Sequence, residues 1–109
     1  MTTVNPKYRK IKPTGEDPRG VAEVLNRLVD GKINSVSSVT LAANAASTTL
    51  SDIYVGGGSF IGLMPMTANA AAELGNGTLY FSTPAKQAVV INHANNAQVD
   101  RTYTYVVLG

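Results

Sequence analysis

One histidine, His93, is present, set in Asn92-His93-Ala94-Asn95-Asn96. An imidazole can serve as a general base or a metal ligand, roles that need an orienting carboxylate or further donors at fixed spacing. Glu73 and Asp100 stand in no recognisable motif with His93, so a turn histidine bonded to its own surroundings is the better reading. Asn95 and Asn96 suit the same turn, where their side chains can bond the nearby backbone. The run Gly56-Gly57-Gly58-Ser59 invites comparison with a phosphate cradle. Such loops carry a following lysine or spaced glycines and open into a helix, whereas an apolar strand pattern follows here. A glycine hairpin with positive φ is expected instead. No serine sits beside a base or in a nucleophile elbow. Tyr54, Tyr80, Tyr103 and Tyr105 offer rings for stacking on sugars or bases, but Tyr103 and Tyr105 share one strand face with Val107, the pattern of a core or subunit interface. No catalytic residue, metal ligand or cofactor is expected. Tyr54, Tyr80, His93, Asn95 and Asn96 are the candidates for surface recognition.

The distribution of charge is more unusual than any of these motifs. Lys7, Arg9, Lys10 and Lys12 crowd the N-terminus with Tyr8 and Ile11 between them, while residues 33–109 carry only Asp52, Glu73, Lys86, Asp100 and Arg101. Soluble domains devote about a quarter of their residues to charge, so the sparsely charged segment is expected to associate with copies of itself. A nucleic-acid-binding domain would spread a basic stripe over its folded surface. Here the positive charge sits on a tail, Lys7 to Lys12, whose readings are a segment that orders on a protein surface, a solvated tail and, least favoured, a nucleic-acid contact.

The 109 residues leave room for one domain, and with no cysteine there is no disulfide framework or thiolate metal site. The N-terminus lacks an apolar secretory core, and no stretch approaches the roughly 20 apolar residues of a membrane span. A protein made and kept in the cytoplasm, without a membrane partner, is the expectation.

Residues 1–16 contain Pro6, Pro13 and Gly15 without hydrophobic periodicity and read as an extended anchoring arm. Asp17-Pro18 then marks a helix start, an N-cap followed by proline at the first helical position. The helix runs to about Asp30, with Val21, Val24, Leu25, Leu28 and Val29 on one face and Gly31 placed for a left-handed cap. A helix of about 13 residues is marginal alone. Residues 17–31 therefore need a partner, either a trimeric stem built on Val21, Val24, Leu25 and Leu28 or the remainder of the same protein.

Residues 32–109 read as a β module. Strands are expected around Val39 and Leu41, over 50–55, and over 60–64, where successive apolar residues suggest cover on both faces, with Pro65 ending the pairing. Residues 67–74 suit a short helix capped by Thr67 and closed by Gly75. Residues 79–82 and 88–92 flank a turn as a hairpin, and the alternation over 102–108 gives the final strand. The expected fold is mainly β: an extended arm and short helix followed by a small β-sandwich or jelly-roll-like module.

The segment from Asp30-Gly31-Lys32 through Val39-Thr40-Leu41-Ala42-Ala43-Asn44-Ala45-Ala46-Ser47-Thr48-Thr49-Leu50 resembles small virion proteins of tailed bacteriophages. So, more specifically, does the ending from His93-Ala94-Asn95-Asn96-Ala97-Gln98-Val99-Asp100-Arg101-Thr102-Tyr103 to Tyr105-Val106-Val107-Leu108-Gly109. The resemblance spans nearly the whole sequence and brings no active site with it. It implies a non-enzymatic structural protein of the head-fibre, capsid-decoration or short-tail-fibre kind, homotrimeric, made in the host cytoplasm and carried on the virion. Its N-terminal arm would hold a capsid, portal or tail protein. The alternative is a glycan- or receptor-binding tip module of a phage fibre.

Overall fold

The computed structural model describes residues 8–109, so Lys7 and the earlier part of the expected arm lie outside the described residues. The protein divides into two compact units, one ending at Asn34 and the other spanning Ser35–Gly109.

In the first unit α1 (Pro18–Val29) begins as the sequence predicts. The Asp17 carboxylate accepts from the Gly20 N–H at 2.7 Å, and Pro18 fills the first helical position. At the other end Gly31 takes φ +77° and donates to the Leu28 carbonyl at 3.0 Å, while the Lys32 N–H reaches the Arg27 carbonyl at 2.8 Å. This pair of bonds is a Schellman motif and stops the helix. The described part of the arm does not stand apart from α1. A turn closed by the Gly15 N–H on the Lys12 carbonyl, 3.0 Å, lets Arg9 return to the helix. Its guanidinium meets Glu16 at 2.7 Å, Glu23 at 3.4 Å and the Gly20 carbonyl at 3.0 Å. Tyr8 and Asn34 exchange two bonds of 2.7 and 3.1 Å. Gly20 makes the return feasible, because a Cβ there would lie 2.6 Å from the Glu16 Cγ and 3.0 Å from an Arg9 nitrogen.

The second unit is mainly β. Its strands are β1 (Val36–Thr40), β2 (Ser47–Ser51), β3 (Phe60–Pro65), β4 (Tyr80–Phe81), β5 (Ala88–Asn92) and β6 (Thr102–Leu108), with one helix, α2 (Ala68–Gly75). They form two antiparallel three-stranded sheets, ordered β1-β6-β3 and β2-β5-β4. Each sheet is centred on a strand of strict alternation. Tyr103, Tyr105 and Val107 of β6 and Val89 and Ile91 of β5 are buried, and with Leu41, Leu50, Val55 and Ala70 they make one core. The register Leu50↔Val89 and Thr48↔Ile91 carries β2 into that core, and β4 pairs with β5 as the expected hairpin. Thr67 caps α2, its hydroxyl accepting from the Ala70 N–H, while the Tyr103 hydroxyl donates to the Ala70 carbonyl at 2.7 Å and ties the helix to β6.

Four local expectations are corrected. The second strand is Ser47–Ser51, not 50–55, and Asp52 to Val55 form a turn closed by the Val55 N–H on the Asp52 carbonyl at 3.1 Å. The glycine run is not a hairpin, because β2 and β3 belong to different sheets and Gly56, Gly57 and Gly58 all keep ordinary φ. It leads from one sheet to the other, with the Ser59 N–H bonded to the Gly56 carbonyl at 3.1 Å. β3 is not covered on both faces, because it lies at a sheet edge, where Ile61 and Leu63 pack against the core and Phe60 and Met64 are exposed. Gly75 is the last residue of α2, and the left-handed glycine after the helix is Gly77, φ +74°.

Candidate functional site

The alternation of the two central strands extends past their ends. One step of two from Val89 and Ile91 reaches His93, and one step back from Tyr103 reaches Arg101, so both residues are directed inward. His93 is only 5 % exposed and Arg101 fully buried. A charge so placed needs a partner, and Glu73, on the inner face of α2, supplies it: its carboxylate accepts from the Arg101 guanidinium at 3.0 Å. The same guanidinium nitrogen donates to the Ala94 carbonyl at 2.8 Å and lies 3.4 Å from the His93 Nδ1, and its twin donates to the Ala42 carbonyl at 2.9 Å. The second Glu73 oxygen accepts from the Thr78 hydroxyl at 2.6 Å and the Ala94 N–H at 3.0 Å. Burial pushes the Glu73 carboxyl up, but the Thr78, Ala94 and Arg101 donors together outweigh it and hold the group below the ordinary carboxylate value.

Both ring nitrogens of His93 are committed, Nε2 to the Thr48 hydroxyl at 2.8 Å and Nδ1 to the Ala94 carbonyl at 3.0 Å. The cluster has the residue types of an acid–base site, and His93, Glu73 and Arg101 are all buried and bonded to one another or to neighbouring groups of the fold. Its effect is mechanical: it joins α2, the segment after β1, the end of β5 and the start of β6. The same loop is held again at its rim. The Asn44 N–H reaches the Asn96 carbonyl at 2.6 Å, Asn69 bridges Gln98 and Asp100 at 3.0 and 2.7 Å, and the Thr67 hydroxyl donates to the Asp100 carbonyl at 2.6 Å. Among the described residues no group of three or more His, Cys, Asp or Glu could hold a metal ion.

The candidates for surface recognition are not brought together. His93 leaves the set because it is buried. Tyr80 is exposed and pairs with Asn92, beside the loop that carries exposed Asn95 and half-buried Asn96. Tyr54 belongs to the opposite end of β5, where the neighbouring Val55 carbonyl accepts from the Gln87 N–H at 2.7 Å. A five-residue strand separates the two ends, about 13 Å.

The residues expected to anchor and to associate lie in the first unit. Lys10, Ile11 and Lys12 are exposed, Tyr8 is half-buried, and Arg9 is occupied with Glu16 and Glu23. On α1 Val21 and Val24 are half-buried, but Leu25, Leu28 and Val29 are 51, 56 and 85 % exposed, so their own unit leaves the apolar stripe uncovered. The second unit adds Phe60, Met64, Met66 and Leu108, exposed apolar residues on and beside one face of the β1-β6-β3 sheet. The Glu73–Arg101 pair was the feature missed in the sequence. The available signal was scarcity, since these two residues supply opposite charges in a segment with only five charged residues.

Compared with protein-family models, curated proteins and solved structures, the sequence and fold match none. Among the described residues no helix is long and apolar enough to cross a membrane.

Proposed function

We propose that the protein is a non-enzymatic structural component of a bacteriophage virion, a small homotrimeric fibre or capsid decoration. Residues 1–16 form its anchoring arm, residues 17–31 its stem and residues 32–109 an outward β-sandwich. The observation that carries this reading is the uncovered stripe of α1. Leu25 and Leu28 project from a 12-residue helix that is too short to persist on propensity alone. Burying each such leucine in a helix bundle contributes about 1.5–3 kcal/mol. The phage assignment rests on the sequence resemblance. The non-enzymatic reading is supported by the commitment of His93, Glu73 and Arg101 to bonds within the fold.

Light scattering from the full-length protein across a dilution series tests the stem, with a concentration-independent trimer expected and a stable monomer overturning it. Anchoring is tested separately by Lys10→Glu with Lys12→Glu. These exposed lysines form no ion pair among the described residues, so the variant should stay folded and trimeric but fail to join particles. Undiminished incorporation would overturn the arm's role.

A further inference from the structure

Each helix is followed by a cap residue able to form a cyclic imide and then by a left-handed glycine: Asp30-Gly31 after α1 and Asn76-Gly77 after α2. The two glycines differ in their N–H groups. Gly31 donates to the Leu28 carbonyl at 3.0 Å, whereas the Gly77 N–H makes no hydrogen bond among the described residues. Asn76 and Gly77 are both exposed, and a Cβ built on Gly77 would meet nothing within 4 Å. From these features we propose that Asn76-Gly77 is a site of spontaneous covalent modification, converting the asparagine to a mixture of aspartate and isoaspartate.

The step needs only water. The Gly77 amide nitrogen gives up its proton to solvent base and attacks the Asn76 Cγ, a new N–Cγ bond forms, and the Asn76 Cγ–Nδ2 bond breaks with loss of ammonia. Water then adds to one of the two imide carbonyls. Breaking the new N–Cγ bond yields aspartate, and breaking the original peptide C–N bond leaves the backbone running through the former side group as isoaspartate. One water is consumed and one ammonia released, with no change of oxidation state. Asn76 has ψ −17°, which must rotate to bring the nitrogen over Cγ. That rotation swings Gly77 while sparing the Asn76 N–H bond to the Ala72 carbonyl, and helix ends open readily. No Cβ on Gly77 obstructs the approach.

The product alters the buried cluster. A carboxylate at position 76 faces the negative end of α2, and the isoaspartyl form lengthens the backbone two residues before Thr78, whose hydroxyl holds Glu73 at 2.6 Å. Modification therefore slackens the clamp on Arg101 and lowers the melting temperature of the β module.

The test is incubation of the full-length protein at mildly alkaline pH, followed by fragmentation mass spectrometry that locates isoaspartate, beside Asn76→Gln and Gly77→Ala. The expected result is conversion at position 76 before any other asparagine, none at Asp30, and an acidic shift of one charge that Asn76→Gln abolishes and Gly77→Ala slows. Conversion no faster at 76 than at Asn95, or conversion only after unfolding in denaturant, would overturn the proposal. The melting temperature of the incubated protein beside incubated Asn76→Gln reports the consequence, since no difference between them would disprove the coupling to Glu73.

Discussion

In the Ser35–Gly109 unit the opposite charges Glu73 and Arg101 lie inside and join four segments, while in the N-terminal unit Arg9, Glu16 and Glu23 pair near the surface and leucines and a valine face solvent. The first arrangement uses its few charges to fix one geometry. In the second, the charges hold a reversal of the backbone together and the apolar surface is left for something else to cover. Polar order lies inside one unit and apolar excess on the surface of the other, the contrast on which the proposed division between a β module that holds its shape and a helix that associates rests.

The contrast predicts opposite responses to substitution. The largest effect is expected from Glu73→Ala, which leaves Arg101 charged in the interior. Denaturant titration should read a loss of about 3–5 kcal/mol, and replacing both residues by leucine should cost less than the single change. The folded Glu73 value is lowered, so its contribution is full above the ordinary value of 4.5 and disappears as pH falls through the folded one. Acid unfolding should therefore shift in Glu73→Gln. A single change that left stability untouched would remove the clamp from the account of this fold.

Leu25→Asp with Leu28→Asp should do the reverse. Light scattering should show the proposed trimer dissociate, each leucine withdrawing about 1.5–3 kcal/mol of association, while the melting of the β module stays in place. Loss of β-module stability instead would mean that the stripe serves the fold and not assembly.

Smaller effects sharpen the same distinction. Burial, with the Asp52 carboxylate accepting the hydroxyl at 2.6 Å, pushes the Tyr105 pKa up to about 12. The folded state keeps a proton that the unfolded state releases near pH 10, so stability is full below about pH 10 and falls between there and about 12. Tyr105→Phe should flatten that alkaline limb and cost about 1 kcal/mol at neutral pH. Gly20→Ala comes last. Alanine ordinarily favours a helix over glycine by about 1 kcal/mol. Here its Cβ would stand 2.6 Å from the Glu16 Cγ, so helical circular dichroism should melt earlier, not later.

Much of the local structure was legible because its signals lie within a few residues of one another. Asp17 and Pro18, Gly31, Thr67 and the alternation over 102–108 each perform the part their types suggested. The glycine run misled for the same reason. Glycine permits a tight turn, but whether the next strand pairs with the previous one depends on partners elsewhere, and β2 and β3 chose β5 and β6. The buried cluster was half legible: period two places His93 and Arg101 inward once their strands are known, but Glu73 lies 28 residues from Arg101 and on a helix.

The sequence determined where the backbone turns, caps and alternates, and that its β segment would carry almost no charge, because backbone conformation and amphipathic period are properties of neighbouring residues. The assignment of strands to sheets, the enclosure of His93, the return of Arg9 to α1 and the exposure of one helix face were settled by tertiary packing. Those outcomes depend on which distant surfaces exclude water together and on whether a buried charge finds its opposite, neither of which a local stretch of sequence contains.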